Sequence, residues 1–142
     1  PILLVDGDLR NPIQHRIFNL EPGAGLVEAL TGRAGSEAIR PVIPLPELSV
    51  LPAGTPPPNA SDLLARPPFA RLLHEAAGRF DCVLVDTPAA YECADAQTIS
   101  SHARGALIVT RRNFSRVALV RELVQSLREV GATVAGTVLN DV

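Results

Sequence analysis

The sequence ILLVDGD at residues 2–8 leads four apolar residues directly into two acidic ones that a single glycine separates. A continuous apolar run bounded by polar and turn-forming residues predicts a strand that is buried on both faces. Such strands form parallel sheets between layers of helices, and ligands bind at the carboxyl ends of the strands. We therefore expect Asp6 and Asp8 at a binding edge, where Gly7 leaves room for a phosphate or a metal ion. The alternative is a polar strand end followed by a helix cap.

A second stretch, FDCVLVDTP at residues 80–88, repeats this pattern and ends on another acidic residue, Asp86. Pro88 cannot donate a ladder hydrogen bond, so it ends the strand. If the two strands are neighbours in one parallel sheet, Asp6, Asp8 and Asp86 converge at one edge. Three carboxylates repel one another without a cation, and Mg²⁺ prefers hard oxygen ligands, waters and nucleotide phosphates. The two strands together therefore predict a magnesium site.

Composition limits the class of protein. The chain has 142 residues, which fits a single domain over 1–142, and its apolar fraction of 46% is ordinary for a globular core. A net charge of −2 gives no basic field that would favour nucleic acid. No apolar run approaches the length of a membrane span. Cys82 and Cys93 lack the spacing of a zinc site, so we expect reduced thiols in a cytoplasmic protein.

The basic residues and the two ends of the chain are also informative. The 13 residues that are either lysine or arginine are all arginine, so the chain contains no lysine. Pro1 stands immediately before one predicted core strand, and Val142 closely follows another. We therefore expect that natural sequence precedes Pro1 and that the chain is also cut at its end.

Apolar periodicity and turn residues predict alternating strands and helices along the rest of the chain. Further strands are expected at 42–43, 48–51, 105–110 and 132–139, and the strand at 105–110 should be buried. The main predicted helices cover 67–78, 95–102 and 115–130. Helix starts are expected at Pro12, at Asn59 or Ser61, and at Asp95. This order predicts an α/β fold with a doubly wound, mainly parallel sheet and helices on both faces.

Several segments resemble motifs of one protein family. Residues 3–12, LLVDGDLRNP, resemble the Walker A′ motif of the bacterial tyrosine kinases, and residues 83–88, VLVDTP, resemble their Walker B strand. Residues 51–54, LPAG, and 58–64, PNASDLL, resemble two further segments in the same order. These kinases have a P-loop fold and act in the cytoplasm at the inner face of the membrane. They partner membrane-bound polysaccharide co-polymerases in capsule and exopolysaccharide export.

The resemblance implies ATP-dependent phosphorylation of tyrosine in a protein substrate, often within a ring-shaped homo-oligomer. It implies that Asp86 holds Mg²⁺ through water and that Asp8 assists at the metal. Asp6 would lie nearest the attacking hydroxyl and act as the base, although the sequence leaves open which of Asp6 and Asp8 does so.

The resemblance also suggests nucleotide contacts near the end of the chain. Asn140 would hydrogen-bond the adenine of ATP, and Arg111 and Arg112 would approach the nucleotide. The alternatives are that Asn140 only ends a strand and that the two arginines form a solvated pair. Tyr91, the one tyrosine in the chain, is expected to be a partly buried loop residue, with a phosphoacceptor as the alternative.

The chain departs from the family pattern at the phosphate-binding loop. The motif GxxxxGK[ST] is absent, although its backbone amides, lysine and hydroxyl normally cradle the phosphates and bind Mg²⁺. In the family this loop lies upstream of the first strand seen here. We therefore expect the parent domain to be a kinase and this chain to be inactive alone.

Two other functions stay open. One is an ATPase of the MinD/ParA type, which shares the deviant Walker fold and uses ATP for dimerisation and partner positioning. The other is a non-enzymatic scaffold that binds a polysaccharide co-polymerase. A response-regulator receiver also clusters acids at strand ends, but it requires a lysine that this chain lacks.

Overall fold

A computed structural model describes residues 1–141 as six strands, six α-helices and one short 3₁₀ helix at Ser36–Ala38. The strands are β1 (Ile2–Asp6), β2 (Arg40–Val42), β3 (Leu45–Leu51), β4 (Cys82–Asp86), β5 (Gly105–Arg111) and β6 (Thr133–Asn140). The helices are α1 (Gln14–Ile17), α2 (Leu26–Leu30), α3 (Ala60–Ala65), α4 (Pro67–Ala77), α5 (Asp95–Ala103) and α6 (Val117–Glu129). None of these helices combines the length and the apolar character needed to cross a membrane.

The first strand lies inside the larger sheet, whose order is β2-β3-β1-β4. β1 runs parallel to both β3 and β4, so Leu4 pairs with Val50 on one side and with Leu84 on the other. Leu3 and Val5 are fully buried in the main core. On the opposite face Leu4 is only partly buried and Ile2 is 38% exposed, so the expected burial is complete on one face only. The expected α/β fold with a mainly parallel sheet is confirmed.

β2 and β3 form an antiparallel hairpin, which interrupts the expected alternation of strands and helices. Pro41 and Pro46 lie within these two strands. Because proline lacks an N–H group, it is tolerated mainly at the edge of a sheet and at irregular pairings. Pro41 agrees with this rule, since β2 is an edge strand and the pairing shifts register between Pro41 and Val42. Pro46 agrees with it because the pairing of β3 with β1 begins only at Leu48.

β5 and β6 form a separate two-stranded parallel sheet, and α6 connects them. The expectation that 105–110 is a buried strand is wrong, because only Ile108 is buried whereas Leu107 and Val109 are 57% and 66% exposed. β4 shows the same departure, with Cys82 and Leu84 exposed. Within residues 1–141, β4 ends one sheet and β5 ends the other. Each strand therefore lacks a neighbour on one side.

The loop after β3 forms backbone hydrogen bonds with the start of α2. The Leu26 and Val27 N–H groups donate to the Pro52 and Ala53 carbonyls at 2.7 and 2.9 Å, so the LPAG segment is in direct contact with the start of α2. At the end of the loop, Gly54 has a φ of +83°. A β-carbon at Gly54 would collide with Oε2 of the Glu28 carboxylate.

We predict that Gly54→Ala destabilises the protein more than Gly32→Ala does. Both glycines have positive φ, but a β-carbon at Gly32 would meet nothing within 4 Å. Gly32→Ala therefore measures backbone strain alone, which costs about 1 kcal/mol, and Gly54→Ala adds the collision with Glu28. Urea unfolding of both variants measures the difference. Equal losses of unfolding free energy would show that the Glu28 contact does not constrain this loop.

Candidate functional site

The carboxyl edge of β1 and β4 carries the predicted acidic residues. Asp6 and Asp86 are paired neighbours in the parallel register, and the Gly7 N–H donates to the Asp86 carbonyl at 2.9 Å. Asp8 follows two residues after Asp6 and is partly exposed. The neighbouring strands that the magnesium interpretation required are therefore present.

Gly7 has a different role from the one expected. A β-carbon there would lie 2.6 Å from the Asp86 carbonyl oxygen, 2.9 Å from Val85 and 3.1 Å from the Ile99 side chain. The space beside Gly7 is thus filled by β4 and α5. The expectation that Gly7 leaves room for a phosphate or metal ion is wrong, because close packing within the protein is what requires a glycine here.

Asp6 is completely buried and anchors the first helix. Its Oδ2 accepts hydrogen bonds from the N–H groups of Ile13 at 3.2 Å and Gln14 at 3.1 Å. These bonds explain why α1 starts at Gln14 and not at Pro12, since the carboxylate satisfies amides that the first turn of a helix leaves open. Its other oxygen, Oδ1, is buried without a hydrogen-bond partner among the described residues.

The pKa of Asp6 lies above its ordinary value. Burial is the main cause, and the nearby charge of Asp86 acts in the same direction. The hydrogen bonds from the Gln14 and Ile13 backbone oppose this shift without cancelling it. Asp6 is therefore a carboxyl group whose charged form is costly in this position.

Gln14 is a site residue that the sequence analysis missed. Its side-chain Nε2 donates to Oδ2 of Asp86 at 2.7 Å, while its backbone N–H donates to Asp6. One buried residue thus supplies hydrogen bonds to both paired carboxyl groups. Its separation of 72 residues from Asp86 leaves no local sequence signal for this contact.

Asp8 holds the turn that follows β1. Its Oδ1 accepts hydrogen bonds from the backbone N–H groups of Arg10 at 3.1 Å and Asn11 at 2.8 Å. Among residues 1–141, no group of three or more His, Cys, Asp or Glu side chains is arranged to hold a metal ion. The hard oxygens of Asp86 and Asp8 nevertheless suit Mg²⁺, which binds through one or two carboxylates and completes its shell with waters and phosphates.

The predicted nucleotide contacts lie at the carboxyl end of the smaller sheet. Arg111 pairs with Asn140 in the parallel register, and the Arg112 N–H donates to the Asn140 carbonyl at 2.9 Å. The Arg112 side chain forms an exposed ion pair with Asp141 at 3.1 Å, and Arg111 lies 5.8 Å from the centre of the Phe114 ring. The structure thus groups these three residues on one sheet and the acidic residues on the other.

Tyr91 lies in the loop between β4 and α5 and is 71% exposed. The expectation that it is partly buried is wrong, because the loop leaves most of the side chain exposed to solvent.

We predict that Asp6→Asn becomes relatively more stable than the wild type as the pH rises. The folded-state pKa of Asp6 is raised, so the wild type loses stability between the pKa of the unfolded chain and that of the folded protein. Asparagine does not titrate and escapes this loss. Urea unfolding from about pH 4 to about pH 8 in metal-free buffer measures the difference.

The control for this prediction is Glu75→Gln, which removes an exposed carboxylate of α4. If the difference in unfolding free energy between Asp6→Asn and the wild type stays constant over this pH range, the raised pKa of Asp6 is contradicted.

No protein-family model matches the chain, but individual proteins do. It is 32% identical over 141 residues to the tyrosine-protein kinase ptk of Acinetobacter johnsonii, covering 99% of this chain and 19% of that protein. It is also 32% identical over 139 residues to the putative tyrosine-protein kinase CapB of Staphylococcus aureus, covering 97% of this chain and 60% of CapB. The chain therefore spans only part of these relatives.

Solved structures of similar proteins have the same fold as this chain. The kinase domain of the Escherichia coli tyrosine kinase ETK superposes with a TM-score of 0.93 at 31% identity, covering 99% of this chain and 55% of that chain. The cell division ATPase MinD of Pyrococcus furiosus superposes with a TM-score of 0.80 at 27% identity, covering 98% of this chain and 58% of that chain.

Proposed function

Because nearly the whole chain is homologous to bacterial tyrosine kinases, we propose that it forms the acidic half of a nucleotide site that phosphorylates protein tyrosine. The observation that carries this proposal is the in-register pairing of Asp6 with Asp86 at the carboxyl edge of two parallel strands. Ligands of open α/β sheets bind at that edge, and acidic residues there match the need to hold Mg²⁺ beside nucleotide phosphates.

In this proposal Asp86 and Asp8 would hold the magnesium ion. When bound, the ion would supply positive charge that offsets the charge of the nucleotide phosphates. Gln14 supports this arrangement because it donates to one oxygen of Asp86 and thereby orients the carboxylate. Outer hydrogen bonds of this kind fix the direction in which a metal-binding carboxylate presents its free oxygen.

Phosphoryl transfer requires the tyrosine oxygen to attack the γ-phosphorus, while ADP leaves and the hydroxyl proton passes to a carboxylate. Asp6 and Asp8 are the candidates for that base. Asp8 is partly exposed, whereas Asp6 has no exposed surface and anchors α1. The geometry therefore favours Asp8 as the group that meets the hydroxyl and Asp6 as the group that positions the edge.

Nucleotide binding by the smaller sheet is part of the same proposal. Asn140 would contact the adenine, and Arg111 and Arg112 would contact the nucleotide from the end of β5. Their support is the pairing of β5 with β6, which brings all three residues to one sheet end. The chain has no lysine, so a lysine that contacts the β- and γ-phosphates would have to come from outside these 142 residues.

The cellular role is also proposed from the relatives. We expect autophosphorylation within a self-associating kinase, control of capsule or exopolysaccharide export, and a membrane-bound co-polymerase as partner at the inner face of the membrane.

A MinD-type ATPase is the second candidate, and the superposition on the Pyrococcus furiosus protein supports it. Phosphorylation of tyrosine, measured separately from ATP hydrolysis, distinguishes the two functions. A scaffold without nucleotide binding is the third.

We predict that Asp86→Asn in the full-length protein lowers tyrosine phosphorylation about 100-fold or more, because it removes charge from the metal site. Asp81 lies just before the opposite end of the same strand, and Asp81→Asn should keep full activity. Incorporation of labelled phosphate into tyrosine measures both variants. Full activity of Asp86→Asn would refute the assignment of this edge as the metal site.

We also predict that this chain alone binds Mg²⁺-ATP far more weakly than the full-length protein, since it has no lysine for the phosphates. Titration calorimetry of both proteins measures the difference. Equal affinities would show that residues 1–142 contain the whole nucleotide site. The absence of binding by either protein would instead support the scaffold.

A further inference from the structure

Three side chains from distant parts of the sequence form a hydrogen-bonded cluster beside the acidic edge. The Arg10 Nε donates to Oδ2 of Asp95 at 2.9 Å, and another guanidinium nitrogen donates to the Ser61 hydroxyl at 2.8 Å. The Ser61 hydroxyl donates in turn to Oδ1 of Asp95 at 2.5 Å. Each of the three residues therefore contacts both others. We call this group the Arg10–Ser61–Asp95 cluster.

The cluster replaces the helix caps that the sequence predicted. The sequence predicts helix caps at Asn59 or Ser61 and at Asp95. Asn59 is the N-cap residue of α3 and Ala94 that of α5, and neither helix has a side-chain cap hydrogen bond. Asp95 lies in the first turn of α5 and Ser61 in the first turn of α3. Their polar atoms are used between segments, not within their own helices.

The segments that the cluster joins include both loops of the acidic edge. Arg10 belongs to the turn that Asp8 holds through the Arg10 and Asn11 N–H groups. Asp95 is the first residue of α5 and directly follows the loop that leads away from Asp86, the last residue of β4. Ile99, one turn further along α5, lies close enough to Gly7 that a β-carbon there would be 3.1 Å away. The start of α5 thus contacts the Asp8 turn at two points.

The energetics of the cluster make it a strong constraint. Asp95 is 1% exposed whereas Arg10 is 45% exposed, so the buried carboxylate depends on its partners. Burial alone would raise the pKa of Asp95, but the hydrogen bonds from Arg10 and Ser61 outweigh it and hold the pKa below its ordinary value. Removal of one partner leaves a buried charge incompletely paired, which is much more costly than losing a surface ion pair.

We propose that the Arg10–Ser61–Asp95 cluster positions the Asp8 turn against the loop after Asp86 and thereby sets the Mg²⁺ affinity of the site. The inference rests on the proposed nucleotide function. Arg10 is a positioning residue here, since its guanidinium is directed towards Ser61 and Asp95 and its backbone N–H holds the Asp8 carboxylate. The planar guanidinium reaches both partners at once, which the single ammonium of a lysine does not reproduce.

The experiment measures binding of ADP to the full-length protein by calorimetry across a Mg²⁺ titration. For Arg10→Gln we expect the Mg²⁺ concentration at half-saturation to rise about 10-fold, as is typical when an outer partner of a metal ligand is lost. ADP affinity at saturating Mg²⁺ should change little. Ser61→Ala removes one donor from the cluster and should give a smaller shift in the same direction.

Arg71→Gln is the matched control, because Arg71 is an exposed residue of α4 outside the cluster. Its Mg²⁺ dependence should equal that of the wild type. Thermal unfolding of every variant in EDTA records any purely structural effect. If Arg10→Gln does not fold, Ser61→Ala and Arg10→Lys decide the question, and both should shift the Mg²⁺ titration.

The outcomes separate this inference from the proposed function. If Arg10→Gln and Ser61→Ala lower the melting temperature but leave the Mg²⁺ dependence unchanged, the cluster is only a structural tie and the inference is overturned. If the wild-type protein itself shows no Mg²⁺-dependent ADP binding, the proposed function fails and the inference fails with it.

Discussion

The in-register pairing of β1 with β4 forces the carboxyl groups of Asp6 and Asp86 to lie side by side. Parallel strands place equivalent backbone positions next to each other, so two acidic residues at matching positions cannot separate without a slip of register. A slip by one residue would turn every side chain of β1 to the opposite face, which would expose the buried Leu3 and Val5. The apolar core therefore holds two like charges together, and the surrounding polar groups must compensate for their repulsion.

Gln14 and the amide groups of α1 provide this compensation for the inner pair. Asp6 receives two backbone hydrogen bonds from the start of α1, and Asp86 receives the Gln14 side chain. The short helix is held in place by these contacts, since its four residues are too few to be stable in isolation. The site and the local fold consequently depend on the same hydrogen bonds.

The sequence predicted the strands more reliably than their surroundings. Four apolar residues before Asp6 identify β1, because such a run suits a strand covered on both faces, and residues 82–85 identify β4 in the same way. The exposure of side chains in β4 and β5 was not predictable from these apolar runs. An apolar pattern shows which environment a strand is suited to. The exposure of Leu84 and Leu107 depends instead on which strands and helices of residues 1–141 lie beside them. Gln14 and Asp95 were missed as partners because their contacts join residues 72 and 85 positions apart.

Asp8 differs from the other two acidic residues in what determines its position. Asp6 and Asp86 are fixed by the sheet, but Asp8 lies beyond the last pairing of β1 with β4. Its carboxylate is tied to the N–H groups of Arg10 and Asn11, so it follows the conformation of its own turn. The affinity for a metal ion that binds both Asp86 and Asp8 would depend on the distance between the two carboxylates. The sheet fixes Asp86, whereas the position of Asp8 follows its loop. That distance depends on side chains that anchor the loop from outside the sheet, and Arg10 is the residue of this turn whose side chain contacts the buried start of α5.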